Sequence, residues 1–292
     1  MSNGFRVANW TEQKRVNVPK ASEKVLLGKE FRSLFCSEDG LVVAAGDASA
    51  LEGRVEGHYT SAFDGGERAR IILEGDIHSR NAKLFYPTET EGFDVTAADF
   101  NKDDPKFKPY RDRSKNGQYA LAYGCSAPKL AKTLGKSENE AQRLYDAFWD
   151  GNPSLRDLRD DLTLRWEKQW GKKYVEGIDG RRITTRKKSA LLNSLFQACG
   201  AIAMDYASCF MDKWLGGILW DENFKPYYLY KGFRVRRIGY FHDELEFECS
   251  PEIADEIGKM IELSIQKAGE LLKIKVPLKG EAKVGKNWME VH

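Results

Sequence analysis

Residues 239–248 read GYFHDELEFE, and the period of this stretch decides how the chain is built. Ahead of its centre Ile238 and Tyr240 alternate with Gly239 and Phe241; behind it Leu245 and Phe247 alternate with Glu246 and Glu248. A period of two is that of a strand with one buried face, so a β-hairpin is expected, with the carboxylates of Asp243 and Glu244 at its tip. A tip exposes a carboxylate while the flanking apolar positions anchor it. Far upstream, residues 42–52 read VVAAGDASALE, a small apolar run, a glycine, and Asp47 where the run ends. Two such aspartates on neighbouring strands could share two Mg²⁺ ions about 3.5–4 Å apart, the arrangement that displaces phosphate esters. Taken singly, each stretch also fits an ordinary turn acid.

Composition narrows the field without choosing. A chain of 292 residues with 41% hydrophobic and 31% charged residues can bury a large core, expected to be divided between two lobes, and is not a disordered polymer. Lys and Arg total 46 against 44 for Asp and Glu, so contact with nucleic acid must come from local patches. Cys36, Cys125, Cys199, Cys209 and Cys249 show no metal-ligand spacing, and neither a signal peptide nor an apolar run of membrane length is present. A reducing, cytoplasmic setting without a membrane is the expectation.

In chain order, the first 29 residues are polar and basic, with Arg6, Lys14, Arg15, Lys20, Lys24 and Lys29, and read as extended structure. After Asp47, Leu51, Val55, Tyr59 and Ala62 recur at helical spacing, with Glu52 in the first turn. Asp76 is placed to cap a helix carrying His78. Residues 86–110, polar and broken by Pro87, Pro105 and Pro109, read as a loop or insertion. Next, Arg111, Lys115, Tyr119 and Tyr123 recur every four residues and fall in one row on a helix. Two cations followed by two rings make a ladder for a nucleotide, the cations for phosphates and the rings for sugar and base. A solvated basic end running into a core-facing aromatic end is the plainer alternative. Gly117 weakens this helix by ~1 kcal/mol relative to Ala, which suggests a close approach to its backbone.

Residues 130–170 are helical with a break at Gly151-Asn152-Pro153, and 174–183 read as a hairpin turning at Asp179-Gly180. Arg181, Arg182, Arg186, Lys187 and Lys188 form the densest basic run, either a solvated face or a partner for a phosphate backbone. A long helix over 189–215 places Asn193 and Gln197 one turn apart and ends at Gly216-Gly217. An amide on such a helix could test base pairs through minor-groove acceptors common to all of them, or merely satisfy a neighbouring backbone group. A helix starts at Ser250-Pro251, and a final strand is expected over 274–278.

The order Asp47-Ala-Ser-Ala-Leu-Glu52, Asp76-Ile-His78, Arg111-xxx-Lys115-xxx-Tyr119-xxx-Tyr123-Gly124, Asn193-xxx-Gln197, His242-Asp243-Glu244 resembles family A DNA polymerases over residues 31–292. Podovirus-type replicative enzymes are nearer to it than bacterial DNA polymerase I. The resemblance implies an α+β fold, an antiparallel-sheet palm (1–63 and 177–292) and mainly helical fingers (64–176, with the insertion at 86–110 and the nucleotide helix at 111–124). It also implies template-directed addition of deoxynucleotides to a primer 3′ end. Asp47 and Asp243 would be ligands of two Mg²⁺ ions, or Mn²⁺ in their place, with the Ala48 carbonyl completing a site. Asp47, Asp243, Glu244 and Lys115 would be catalytic. Arg111, Lys115 and His78 would hold the triphosphate, Tyr119 and Glu52 would close off the sugar 2′ position, and Tyr123 would take the template-base stacking position. A tyrosine at Tyr119 goes with acceptance of dideoxynucleotides in that family. Gln197, Asn193, His242, Arg181 and Arg182 would contact primer-template DNA.

Three departures from the family pattern set further expectations. Met1 falls almost at the palm, with no thumb and no 3′–5′ exonuclease domain ahead of it; a split phage polymerase, in which a second polypeptide supplies the thumb and any proofreading, and a piece excised from a longer polymerase account for this equally well. The separation of His78 from Arg111 exceeds that in relatives and leaves 86–110 without a family counterpart. Arg6 lies near a family arginine that supports the nucleotide. A non-catalytic nucleic-acid-binding accessory subunit is the alternative reading, and intact Asp47 and Asp243 speak against it.

Overall fold

The computed structural model describes residues 26–292, so Arg6 and the basic residues before position 26 lie outside the described part. The chain forms two compact units, one running up to Leu51 and resuming with Ala201–His292, the other comprising Glu52–Gly200. The divisions thus fall at 51/52 and 200/201, where the sequence reading set them at 63/64 and 176/177. The reason is polar and aromatic contact: Glu56 bonds Arg68, and the ring of Tyr59 stacks on Phe196 at 6.3 Å, all within the second unit.

The first unit is built on six strands in the order β4 (Leu219–Trp220), β5 (Pro226–Tyr230), β6 (Phe233–Phe241), β7 (Glu244–Cys249), β1 (Val42–Ala48), β8 (Gly280–Gly285). Every neighbouring pair is antiparallel. The expected hairpin is β6–β7, joined through His242 and Asp243 alone because Phe241 pairs with Glu244. His242 takes a φ of +54°, the left-handed twist that two-residue hairpin loops demand. Alternation then sorts the faces. Ala44, Gly46, Leu245 and Phe247 share one face, covered by α10 (Pro251–Leu271), whose Ile257, Ile261 and Ile265 are fully buried. Gly46 is required there, since a Cβ would lie 2.7 Å from the Ile261 side chain. On the other face, Val43 and Ala45 pack with Val291, Ile238 and Trp288.

The second unit is helical, with α2 (Leu51–Asp64), α3 (Glu67–Glu74), α4 (Ile77–Phe85), α5 (Lys108–Ala122), α6 (Ala127–Leu134), α7 (Glu138–Gly151) and α8 (Pro153–Glu167). A small ribbon, β2 (Tyr174–Glu176) with β3 (Arg182–Thr184), follows, and then α9 (Leu191–Trp214), which begins in this unit and ends in the other. Gly117 permits the α4–α5 packing, as a Cβ there would meet the Phe85 ring at 2.9 Å. The close approach that this glycine implied is therefore a neighbouring helix.

Three readings are corrected and a fourth, the loop before α5, is extended. Residues 274–278 form no strand; Ile274, Val276 and Leu278 are buried with the alternation of one, but the last ladder belongs to β8. Asp179-Gly180 is not a two-residue turn, because the ribbon's last pair is Glu176 with Arg182, leaving a five-residue loop closed by Gly177 N–H to Arg181 C=O at 2.8 Å. The helical run after 130 breaks at a second place, where Gly135 ends α6 with φ +63° and Ser137 with Glu140 forms a capping box for α7. Residues 86–110 carry their own small core, with the rings of Phe93 and Phe100 each 5.0 Å from the fully buried Phe107. Lys83 Nζ fastens that loop by donating to the carbonyls of Thr90 at 2.7 Å and Phe93 at 2.9 Å.

Among the described residues no helix is long and apolar enough to cross a membrane. Replacement of Gly46 by Ala is expected to lower unfolding free energy by about 1–3 kcal/mol through overpacking against Ile261. Gly92→Ala, where a Cβ meets nothing within 4 Å, serves as the control. Urea unfolding of the two variants checks the difference.

Candidate active site

The pleat of the central strands sets the acid geometry. Asp47 lies directly opposite Glu244 of β7 on one side and Glu281 of β8 on the other, so one rung of the sheet carries three carboxylates. Asp243 is the next residue along, and its carbonyl accepts from Ala48 N–H at 2.8 Å, which ties the hairpin tip to the end of β1. Like charges directly opposite one another destabilise a sheet unless something positive joins them. The Asp47 carboxyl is raised above its ordinary value, first by desolvation and then by Asp243, Glu244 and Glu281, although the residue keeps an exposed edge. Asp243 is half-buried, and burial is the main cause of the upward shift of its carboxyl. Hard carboxylate oxygens crowded in this way fit a divalent cation such as Mg²⁺ or Mn²⁺, which would supply the missing positive charge.

Glu244 departs from its expected place. It is the first residue of β7 and 7% exposed, so the tip carries a single acid, Asp243. Its Oε1 lies 3.0 Å from Nε2 of His292. Beneath it Glu246 is 2% exposed, and Glu244, Glu246 and His292 offer ligand-type atoms within 4.8 Å of one another. Burial, followed by the Glu244 carboxylate, pushes the Glu246 carboxyl up to about 8. Strand period put Glu246 on the same face as Glu244, a signal the sequence held without disclosing that Trp288 and Val291 close over that face. His242 sits exposed in the loop.

The second unit carries the cationic and aromatic row, and α5 spans Lys108–Ala122 where 111–124 was expected. Pro109 in its first turn starts it earlier, and Tyr123 is its C-cap. Arg111 is bound through Nε to Asp76, the N-cap of α4, whose side chain also accepts from His78 N–H at 3.1 Å and the Ser79 hydroxyl at 2.7 Å. Burial would raise the Asp76 carboxyl, but Arg111 and Ser79 overcome it and hold it below its usual range. Lys115 is exposed. The His78 and Tyr119 rings lie 5.8 Å apart and those of Tyr119 and Tyr123 6.1 Å apart, so the row is continuous.

Glu52 meets Tyr123: the Tyr123 hydroxyl donates toward both Glu52 oxygens, at 2.7 and 2.9 Å, while Gln197 Nε2 donates to the Tyr123 oxygen at 3.4 Å. Three residues named from separate motifs are thereby joined, with Tyr123 at the junction. Gly124 follows at φ +77°, and a Cβ would fall 1.8 Å from the Ser189 carbonyl, so only glycine fits. Asn193 is half-buried on α9. Of the basic run, Arg181 pairs with Asp179, Arg182 lies 4.8 Å over the Tyr174 ring and Lys188 pairs with Glu167.

Comparison with known proteins follows the same lines. The family model described as DNA polymerase family A matches residues 14–290. The chain is 27% identical to the DNA-directed DNA polymerase of Enterobacteria phage T3 over 291 residues, covering 91% of this chain and 36% of that protein. It is 31% identical to the DNA-directed DNA polymerase of Escherichia phage Phieco32 over 229 residues, 76% of this chain and 31% of the relative. A solved structure described as the POL domain of Pol1 from M. smegmatis, in complex with DNA primer-template and dNTP, is similar with a TM-score of 0.68 and 24% identity, over 94% of this chain and 44% of that one. The latter likeness speaks for the fold. The chain spans about a third of the length of these phage relatives.

The buried Glu246 gives the site a measurable linkage. Its carboxyl is raised in the fold from 4.5 to about 8, so the unfolded chain releases this proton first and stability falls as pH climbs through that interval. Glu246→Gln is expected to remove that fall and to stabilise the protein at pH 8 by roughly 4 kcal/mol relative to its effect at pH 4.5. Denaturant titrations in EDTA at both pH values report it.

Proposed function

From its membership of DNA polymerase family A, which the match over residues 14–290 establishes, we propose that this chain is the palm and fingers of a template-directed DNA polymerase adding deoxynucleotides to a primer 3′ end. The observation that carries the reading is the placement of Asp47 and Asp243 at adjoining strand ends, on and beside a rung of carboxylates that repel one another. The sheet unit is read as palm and the helical unit as fingers. Asp47 and Asp243, with the Ala48 carbonyl, would hold a divalent pair. When bound, such ions acidify the primer 3′ hydroxyl for in-line attack on the α-phosphorus and neutralise the departing pyrophosphate.

The chain's own groups do the rest. Arg111, oriented by Asp76, and Lys115 bind triphosphate oxygens, and His78 lies beside them. Tyr119 and Glu52 border the sugar, where the half-buried Glu52 side chain, held by Tyr123, takes the space an additional 2′ hydroxyl would need. Glu52 and Gln197 hold the Tyr123 phenol, which fixes where a base can stack. Gln197, Asn193, His242, Arg181 and Arg182 are assigned to primer-template DNA, as backbone and minor-groove contacts. A thumb, and any proofreading centre, is assigned to polypeptide outside these residues.

Single-nucleotide primer extension with Mg²⁺ tests the reading, with and without a co-expressed polypeptide carrying a thumb. Wild type is expected to extend, and Asp243→Ala to lose on the order of 10³-fold in rate. Equal behaviour of the two proteins would end the catalytic assignment. In competition assays, Tyr119→Phe is expected to lower dideoxynucleotide use by roughly tenfold, the value of one hydrogen bond.

A further inference from the structure

A chain of buried polar side chains crosses the helical unit and ends at His78. Glu56 of α2 and Arg68 of α3 form an ion pair with each residue at or below 5% exposure. Arg68 Nη1 donates to Asn152 Oδ1 at 2.6 Å, and Asn152 Nδ2 donates to the Phe148 carbonyl at 2.7 Å and to Asn81 Oδ1 at 3.2 Å. Asn81 Nδ2 donates to Gln118 Oε1 at 2.7 Å, and the same oxygen lies 3.0 Å from His78 Nδ1. Asn81, Asn152 and Gln118 are 0%, 3% and 4% exposed.

The direction of this relay is forced. A guanidinium only donates and a backbone carbonyl only accepts, so Asn152 must present its oxygen to Arg68 and its amide hydrogens to Phe148 and Asn81. Asn81 then has its oxygen occupied and offers N–H to Gln118, whose oxygen is left as an acceptor from His78. Nδ1 of His78 must therefore carry the hydrogen. In a neutral imidazole that leaves Nε2 as a lone pair, which repels a phosphate oxygen. The charged groups around the ring are Asp76 from its own helix cap, and Arg111 and Lys115 from α5; Tyr119 adds its ring at 5.8 Å. Burial, first among the causes, holds His78 below its ordinary value, so the ring is neutral near pH 7.

We propose that Gln118, Asn81, Asn152 and Arg68 are positioning residues that fix His78 in its Nδ1–H form, so that nucleotide binding is coupled to uptake of a proton from solvent at Nε2. This rests on the reading of His78 as a triphosphate contact. The proton converts Nε2 from an acceptor into a donor for an anionic oxygen, with Nδ1–H retained on Gln118. Nucleotide affinity accordingly falls as pH rises above neutrality.

Two measurements test this. In the free protein, ¹⁵N chemical shifts of the His78 ring are expected to report the Nδ1–H tautomer; Gln118→Leu is expected to shift the ring toward the commoner Nε2–H form. An Nε2–H tautomer in the wild type would overturn the proposal. Calorimetric titration with a non-hydrolysable dNTP at pH 7.5, in two buffers of different ionisation enthalpy, is expected to show uptake approaching about one proton per nucleotide. The uptake is expected to vanish in His78→Gln, and to fall in Gln118→Glu, where an added carboxylate charges His78 beforehand. Binding with the same heat in both buffers would refute the coupling and leave the function reading intact. Absence of nucleotide binding altogether would instead overturn the reading on which the coupling rests.

Discussion

One rung of an antiparallel sheet constrains the first unit. Glu244, Asp47 and Glu281 stand opposite one another on three adjacent strands, and Asp243 adjoins them through the Ala48 N–H bond. A sheet selected for stability alone would avoid this arrangement. Everything around it works to keep the rung in place. Gly46 brings β1 onto α10, the left-handed φ of His242 tightens the hairpin, and Val43 and Ala45 pack beneath the segment that holds Trp288, Val291 and His292. Acids crowded in this way give up stability that a bound divalent cation would restore.

The helical unit answers a different constraint, that of presenting cations and rings in a fixed row. Its means are glycine at points of close approach and polar groups that cannot turn over. Gly117 seats α5 on Phe85, and Gly124 passes under the Ser189 carbonyl. The ion pair of Glu56 with Arg68 starts a hydrogen-bond chain that leaves no amide a choice of orientation. Arg111 is aimed by Asp76, which at the same time caps the helix bearing His78. Arg111 and His78 are thus each held by a side chain, Asp76 and Gln118, that is assigned no ligand of its own.

Much of this was legible in the sequence. The period of two around Asp243 and the period of four from Arg111 to Tyr123 are local signals, and both elements formed. Asp76 as a cap and Gly216-Gly217 as a helix end follow from backbone chemistry equally local. What escaped depends on partners distant in the chain. Residues 274–278 have strand alternation, yet they join none of the strands of the sheet. Glu244 looked like a tip residue until His292 closed on it, and the link from Glu52 to Tyr123 joins residues 71 positions apart. The chain of bonds from Glu56 to His78 draws on four helices and a helix cap, and no short motif announces it.

A catalytic sheet unit requires Asp47 and Asp243 to serve the same ions. Mn²⁺ titration followed by electron paramagnetic resonance, with wild type, Asp47→Asn, Asp243→Asn and the double variant, addresses that directly. Shared ligation predicts that either substitution weakens the same binding and that the second adds little to the first. Undiminished Mn²⁺ binding in either single variant, or losses that simply add, would contradict it.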